Sequence, residues 1–397
     1  MPSSGSWRAD PWRFESGRAG RAGVMAARGR GRTLRSRAVP LKNWPLWVTP
    51  MVLSLCGILM IASLTSGSGA EGVSPYGAAF KQCRFLGLGL LLMFCCALTP
   101  LPFIRRMSGL LWLGALLMTL GTLVPGIGVK VGGARRWLSV LGFQFQPLEI
   151  LTLAVPLFLA DRLAASRRQG FQCFCRPTLT VALFSAFPLF FQPNMGGLIL
   201  VFALCMSMHV VNQGWKYPLA GGAFLFFIFL LMIYMEGYRR ERLLAFLDPW
   251  SEPTGRGFQI IQGLVAFSNG GIFGVGVGKG LQKLDYLPAA HTDYIFPTIG
   301  EEFGLVGTLV VLALYVFWTY KVYRVYRRAA EPYLAVLIWG VAASILFPMF
   351  LNLGGVMKLT PLTGIPLPFL SAGGSAMVFM WVKVGILMRV GKELQQR

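Results

Sequence analysis

Ten apolar segments alternate with short polar stretches along this chain, and each is close to the length that crosses a bilayer as a helix. The pattern predicts an all-α polytopic membrane protein with ten transmembrane helices. The predicted spans are Trp44–Leu64, Phe85–Pro102, Leu110–Val124, Phe145–Ala160, Thr178–Phe191, Gly196–Val211, Tyr217–Met235, Tyr294–Tyr320, Tyr333–Leu353 and Phe369–Met388.

The polar stretches predict the domain organisation and the topology. Residues 1–42 are rich in Arg, Gly and Ser without apolar periodicity, which predicts a disordered basic tail. A ten-span membrane domain is expected over residues 43–390, followed by a short tail at 391–397. Because Arg and Lys concentrate in alternate loops, the positive-inside rule predicts that both termini are cytoplasmic. A large extracytoplasmic loop, residues 236–293, then lies between spans 7 and 8.

Composition excludes several other classes of protein. The chain has 397 residues, of which 55% are hydrophobic, and this content is typical of a membrane protein rather than a soluble enzyme. The net charge of +22 follows the membrane topology, and no nucleic-acid recognition motif accompanies it, so we expect no nucleic-acid partner. The seven cysteines do not pair with histidine at zinc spacing, and Cys173-x-Cys175 alone is a weak metal signal.

Basic residues in a predicted outer loop break the positive-inside rule, which suggests that they have a function. Lys130, Arg135 and Arg136 lie in the predicted outer loop 125–144. Positive charge in such a loop opposes the favoured topology, so its simplest use is to bind an anionic ligand. A glycine-rich run from Gly270 to Gly280 lacks a nucleotide-binding fingerprint and is interpreted as a turn-rich loop.

The stretch PAAHTDYIFPTIGEEFG concentrates titratable residues at the start of the eighth predicted span. It contains His291, Asp293, Glu301 and Glu302 in a chain that is only 13% charged. Carboxylates at the mouth of a membrane helix are costly to desolvate and suggest a functional site. The alternative is a helix N-terminus stabilised by the helix dipole, and position alone does not decide between the two.

Four long motifs, in order, resemble one known family. They are GVKVGGARRWLSVLGFQFQPLE, RLLAFLDPWSEPTGRGFQIIQ, GIFGVGVGKGLQKLDYLPAAHTDYIFPTIGEEFGLVG and TPLTGIPLPFLSAGGSA. Together they resemble the SEDS family, the FtsW/RodA/SpoVE group, over nearly everything after the basic tail. GVGVGKGLQK and FLDPW are more similar to the FtsW-like division branch than to the elongation branch.

The resemblance implies a peptidoglycan glycosyltransferase of the bacterial cytoplasmic (inner) membrane. Such enzymes polymerise lipid II outside the membrane and release undecaprenyl pyrophosphate. The key aspartate of the family corresponds to Asp293, either as the base that takes the acceptor hydroxyl proton or as the carboxylate that holds a divalent cation, Mg or Mn. No organic cofactor is expected.

The same resemblance suggests which residues bind the substrate. Arg136 is expected near the cavity, because an Arg fork stabilises the leaving pyrophosphate better than a Lys point charge. Headgroup snorkelling is the alternative for Arg136. We predict a direct pairing of Arg136 with Asp293. The other candidates are Arg135, Lys130, Arg242, Lys279, His291 as a positioner, and Glu301, for which a structural role is the favoured alternative.

Partners and rival functions also follow from the resemblance. The expected partners are a class B penicillin-binding protein, which is a transpeptidase, and other divisome or elongasome membrane proteins. The rival functions are a lipid II flippase and a non-catalytic scaffold for the transpeptidase. The sequence departs from the family pattern at four positions, none of which touches Asp293: Gly132, Leu148, Asn194 and Ala372.

Overall fold

A computed structural model of the chain describes residues 44–65, 76–131, 134–140, 143–166, 170–223, 237–255, 257–281, 287 and 290–396. The predicted basic tail, residues 1–42, lies outside this part of the chain. The predicted seventh span is described only up to residue 223, within a helical segment 216–223, and the remainder of that span also lies outside it.

The fold is a bundle of long apolar helices with a small sheet and a helical loop region at one end. The helices are α1 Trp44–Thr65, α2 Gly77–Leu98, α3 Leu101–Gly121, α4 Pro147–Ala165, α5 Thr180–Phe191, α6 Met195–Gln213, α7 Gly237–Leu247, α8 Phe258–Gly270, α9 Ile295–Tyr326, α10 Pro332–Val356 and α11 Gly374–Gln396. A short turn Phe171–Cys173 and a π-helical segment Phe174–Leu179 precede α5, and a 3₁₀ turn Pro249–Ser251 follows α7.

Eight helices of the described chain are long and apolar enough to cross a membrane, so the predicted helical membrane fold is confirmed and the count of ten is not. Helix α4 falls short of that criterion, because its 19 residues include Glu149, Asp161 and Arg162. Its apolar residues are nevertheless buried almost throughout, and it packs against α3, α6 and α10. Helix α4 is therefore a central element of the bundle.

Several helix boundaries differ from the prediction at polar residues. Helix α2 begins at Gly77 and α3 at Leu101, so both include basic residues that the sequence pattern assigns to loops. Long basic side chains lie along apolar surface with the charge at its edge, and a helix tolerates them near its ends. Helix α11 continues to Gln396, beyond the predicted end of the tenth span at Met388, and an ion pair between Arg389 and Glu393 at 3.0 Å spans the extra turn.

A three-stranded antiparallel sheet occupies the region predicted as the loop 125–144. Its strands are β1 Gly128–Val131, β2 Ala134–Val140 and β3 Phe143–Phe145, in the order β1-β2-β3. Lys130 pairs directly with Arg135 across β1 and β2. Because successive strand residues point to opposite faces, Arg136 lies on the face away from that cationic pair.

Candidate functional site

A turn at residues 290–294 carries Asp293, and its backbone is held by three successive hydrogen bonds. The carbonyl of His291 accepts from the Ala372 N–H at 2.8 Å, and the carbonyl of Thr292 accepts from the Ser371 hydroxyl at 2.6 Å. The carbonyl of Asp293 accepts from the Asn352 side-chain amide at 2.8 Å. The turn is therefore fixed from two sides, by the end of α10 and by the segment that precedes α11.

Asn352 and Ser371 each join the turn to the loop 357–373. The Asn352 amide, 1% exposed, donates a second bond to the Ile365 carbonyl at 2.9 Å. The Ser371 hydroxyl accepts from the Leu367 N–H at 2.8 Å. Buried side chains that make two hydrogen bonds each lock the relative position of the groups they join, because breaking either bond leaves a buried carbonyl or N–H unpaired.

The Asp293 carboxylate lies beside the backbone of Gly364. An added Cβ at Gly364 would lie 3.6 Å from the Asp293 Oδ2 atom, and Gly364 has a φ of +71°. A side chain at this position would be strained and would crowd the carboxylate. Asp293 itself is partly buried and stands one residue before Tyr294, the N-cap of α9. It therefore lies just outside the N-terminus of that helix, a position that is also compatible with the helix-dipole alternative.

Glu301 and Glu302 lie two turns inside α9 and hold the glycine-rich segment 271–281, which we call the glycine loop. The Glu301 carboxylate accepts from the Leu281 N–H at 3.1 Å, and the Glu302 carboxylate accepts from the Ser63 hydroxyl on α1 at 2.8 Å. Both glutamates are almost fully buried, at 1% and 2% exposure. Their contacts are structural, and the substrate-binding role of Glu301 stays a prediction.

Helix α9 is broken at Gly304, and the glycine loop satisfies the backbone groups that the break releases. Gly304 has φ 68° and ψ −162°. The N–H groups of Leu305 and Val306 donate to the carbonyls of Gly271 and Ile272 at 2.9 and 3.1 Å. In return, the carbonyls of the two glutamates before the break accept from the N–H groups of residues 275 and 276 at 2.9 and 3.0 Å. An apolar bundle requires such pairing wherever a helix is interrupted.

Arg136 on β2 contacts the turn between α5 and α6. Its guanidinium donates to the carbonyls of Gln192 and Pro193, at 3.4 and 2.6 Å. The same turn leads into Gly196, where an added Cβ would lie 2.8 Å from the Thr363 carbonyl. Thr363 is the neighbour of Gly364, so the basic sheet and the Asp293 turn approach the loop 357–373 from two sides. The direct pairing of Arg136 with Asp293 stays a prediction.

The other predicted residues are distributed around this end of the bundle. His291 shares the turn of Asp293, and its side chain is exposed. Lys279 is exposed on the glycine loop, whereas Lys130 and Arg135 are exposed together on one face of the sheet. Arg242 belongs to α7, and its side chain lies outside the described part of the chain. Substrate contacts of all these residues stay predictions.

Asn352 and Ser371 are site residues that sequence reasoning missed. Asn352 is a lone amide near the end of an otherwise apolar predicted span, which is the signal that could have found it. Two departures from the family pattern have local structural contacts. Asn194 caps α6 by accepting from the Gly197 N–H at 3.1 Å, and an added Cβ at Gly197 would lie 3.0 Å from the Leu148 side chain.

A divalent cation at Asp293 would need further ligands close to it. The described residues contain no group of three or more His, Cys, Asp or Glu side chains that could hold a metal ion. Asp293 is one carboxylate, and Mg²⁺ in proteins is often held by one or two carboxylates together with substrate phosphates. The described residues therefore do not form a cation site of their own, and the Mg or Mn assignment stays a prediction.

The sequence of this chain is similar to a known family and to named relatives. Residues 43–396 match the FtsW/RodA/SpoVE family, described as "Cell cycle protein". A Thioalkalivibrio sulfidiphilus protein named "Probable peptidoglycan glycosyltransferase FtsW" is 34% identical over 379 residues, covering 93% of this chain and 94% of its own. A protein of the same name from Nitrosococcus halophilus is 36% identical over 324 residues, covering 79% and 82%.

Two solved structures share the fold. One, described as "Structural coordination of polymerization and crosslinking by a peptidoglycan synthase complex", has a TM-score of 0.74 at 26% identity and covers 89% of this chain and 98% of its own. The other, RodA of Thermus thermophilus, has a TM-score of 0.65 at 24% identity, covering 88% and 96%. The second likeness concerns the fold alone.

Proposed function

Because this chain belongs to the FtsW/RodA/SpoVE family, we propose that it is an FtsW-like peptidoglycan glycosyltransferase that polymerises lipid II during cell division, with Asp293 as its catalytic carboxylate. The supporting observation is the fixed turn at 290–294. Three backbone bonds hold it in place, while the carboxylate of Asp293 stands beside the backbone of Gly364.

A carboxylate held in this way suits a general base. The acceptor sugar hydroxyl gives its proton to the Asp293 carboxylate while its oxygen forms a bond to the anomeric carbon of the donor. The bond from that carbon to the pyrophosphate oxygen breaks, and its electron pair leaves with undecaprenyl pyrophosphate. Because the backbone of the turn is anchored, the base needs little reorganisation to reach the reacting hydroxyl.

The leaving pyrophosphate gains negative charge, and the basic sheet is positioned to receive it. Like charges directly opposite each other on a sheet are destabilising. The paired Lys130 and Arg135 therefore favour an anion between or beside them. Arg136, bound to the turn at 192–193, links this sheet to the loop beside Asp293. We assign Lys130 and Arg135 to the pyrophosphate, and we assign Arg136, on the opposite face, to positioning them by holding the sheet against the turn at 192–193.

The direct test is polymerisation of lipid II by the purified full-length protein with its transpeptidase partner. We expect Asp293→Asn, which preserves shape and removes the base, to abolish strand synthesis. Asp248→Asn is the matched control, because Asp248 is an exposed aspartate whose acceptor oxygen, which caps the Trp250 N–H at 3.1 Å, is retained by asparagine. Strand synthesis by folded, partner-bound Asp293→Asn at the native rate would contradict the assignment.

The same preparations distinguish the rival functions. A flippase would move lipid II across vesicle membranes with Asp293→Asn as it does with the native protein. A scaffold would recruit the transpeptidase without forming any glycan. Rates measured with a chelator and with added Mg²⁺ or Mn²⁺ separate a base from a carboxylate that holds a cation, because only the latter role requires the metal.

A groove between α9 and α10 is the surface we assign to the class B penicillin-binding protein. It is lined almost wholly by apolar and aromatic side chains: from α9 Leu312, Tyr315, Val316, Thr319, Tyr320, Val322, Tyr323 and Tyr326, and from α10 Ile338, Trp339, Ala342, Leu346, Met349, Phe350 and Leu353. An apolar groove along two membrane helices fits a transmembrane helix of the partner, because helices in a bilayer associate by close van der Waals packing. A photo-crosslinker at Val316 should therefore capture the transpeptidase, whereas one at Leu55 on the exposed face of α1 should not.

We place the protein in the cytoplasmic membrane with the Asp293 end outside. Arg106, near the start of α3, and Arg324, in the last turn of α9, lie at the opposite end of the bundle. The positive-inside rule assigns that end to the cytoplasm. Labelling of a cysteine at exposed His291 by a membrane-impermeant reagent in intact cells tests this orientation.

A further inference from the structure

Lys383 on α11 is a lysine buried completely within the helix bundle. Its exposure is 0%, and it lies nine residues beyond the start of α11 at Gly374. That distance is about 14 Å along the helix, close to the middle of a bilayer. An ammonium at this depth is costly and persists only when specific groups compensate it.

The first compensating group is a carbonyl that the sequence of α10 leaves without its helical partner. In an α-helix the carbonyl of residue i accepts from the N–H of residue i+4. For Ser344 that residue is Pro348, which has no N–H. The Lys383 ammonium donates to the Ser344 carbonyl at 3.2 Å and takes the place of the missing donor.

The ammonium has two further contacts, one on α4 and one, with the Met380 sulfur at 4.0 Å, on its own helix α11. It donates to the Thr152 hydroxyl at 3.1 Å, and that hydroxyl in turn donates to the Glu149 carbonyl at 3.0 Å. The buried Glu149 carboxylate attracts the Lys383 ammonium electrostatically. One ammonium thus joins α11 to α10 through a carbonyl and to α4 through a hydroxyl.

These three helices are the ones that carry the site. Helix α10 reaches Asn352 one turn after Pro348, and Asn352 holds the carbonyl of Asp293. Helix α11 follows directly from Ser371 and Ala372, which hold the rest of the turn. Helix α4 follows directly from the basic sheet. A shift of any of them relative to the others displaces one side of the site.

We propose that Lys383 is a positioning residue of the glycosyl-transfer site: by occupying the Ser344 carbonyl released by Pro348, it fixes the end of α10 that holds the Asp293 turn. The expected effect on catalysis rests on the proposed role of Asp293. The positioning of the turn by Lys383 does not. Lys383 lies about three helical turns along α11 from the residues that hold the Asp293 turn. It therefore touches no substrate.

The experiment measures strand synthesis and site geometry in the full-length protein. Lys383→Met keeps the stem and removes the charge, and Glu149→Gln/Lys383→Met also restores charge balance in case the single variant does not fold. Thr152→Lys/Lys383→Thr exchanges two groups that are 3.1 Å apart and returns an ammonium to the same place from α4. Lys392→Met, an exposed lysine of the same helix, is the matched control.

Geometry is read independently of catalysis. In a background without the seven native cysteines, His291→Cys and Ala372→Cys are oxidised in membranes, since the hydrogen bond between their backbones brings them within reach of a disulfide. We expect both Met variants to lose ~10-fold or more in kcat with a nearly unchanged KM for lipid II, and to form the disulfide more slowly. The exchange variant should recover both properties, and Lys392→Met should alter neither.

The outcomes separate the inference from the proposed function. Native kcat and native disulfide formation in Lys383→Met would overturn the inference, as would a folded exchange variant that recovers neither. If neither Met variant folds, Lys383 is a folding residue and the positioning role is rejected. Slower disulfide formation with native strand synthesis would uphold the positioning of the turn and contradict the catalytic role of Asp293 instead.

Discussion

Replacing Gly304 by alanine tests how the broken helix α9 is built. Gly304 has a φ of +68°, which L-residues with a side chain rarely adopt. An added Cβ would lie 2.4 Å from both the Gly274 nitrogen and the Ile272 oxygen. These are backbone atoms, so relief of the contact requires the glycine loop to move away from α9.

The cost of Gly304→Ala has two parts. The backbone conformation alone costs about 1–3 kcal/mol for a residue other than glycine. Detachment of the glycine loop would also break the four backbone bonds across the break, which at about 0.5–1.5 kcal/mol each contribute a further ~2–6 kcal/mol. Either part is large compared with the effect of an alanine at a helix glycine that has free space around it.

Gly114→Ala on α3 provides that comparison, because no atom lies within 4 Å of its added Cβ. We expect Gly304→Ala to lower the midpoint of thermal unfolding of the purified protein by ~5 °C or more, and Gly114→Ala to leave it nearly unchanged. Strand synthesis should fall only in the first variant. Equal melting temperatures and equal rates for the two variants would refute the account of the break.

Three further substitutions probe the site. Asn352→Leu removes both amide donors and should lower kcat for lipid II polymerisation ~10-fold or more, since Asp293 loses its anchor; a native kcat would contradict this. Ser371→Ala leaves the Thr292 carbonyl without that bond and should cost about 1–3 kcal/mol, measured as a lower melting temperature. Arg136→Lys cannot bridge two carbonyls with a planar fork and should raise the KM for lipid II; an unchanged KM would contradict its positioning role.

Much of the helical fold could be predicted because apolar length is a local property of the sequence. Helices α1, α6 and α10 agree with their predicted spans to within a few residues. The sheet at 128–145 was missed because its strands are short and two of them carry basic residues. The break at Gly304 was missed because the apolar pattern runs through it without interruption.

In the candidate site, too, a residue could be predicted from its local sequence, whereas its contacts with residues far along the chain could not. Asp293 was predicted because a carboxylate beside an apolar span is conspicuous in the sequence. Its anchors, Asn352 and Ser371, are 59 and 78 residues later in the chain, and only folding brings them to the turn (352 − 293 = 59; 371 − 293 = 78). The partner of Lys383 was hidden for another reason: it is a main-chain carbonyl, and only the proline four residues later shows that it is available.

The two helices that meet the Asp293 turn are each interrupted, α9 at Gly304 and α10 at Pro348, and the two interruptions are satisfied in different ways. The break in α9 is paired by the backbone of a neighbouring loop, whereas the vacancy in α10 is filled by the ammonium of a distant lysine. An uninterrupted α-helix pairs its backbone internally and leaves few groups to fix a neighbouring turn. Irregular backbone costs free energy within an apolar bundle and persists where protein contacts satisfy it. The residues that complete these interruptions therefore fix the two helices that meet the Asp293 turn.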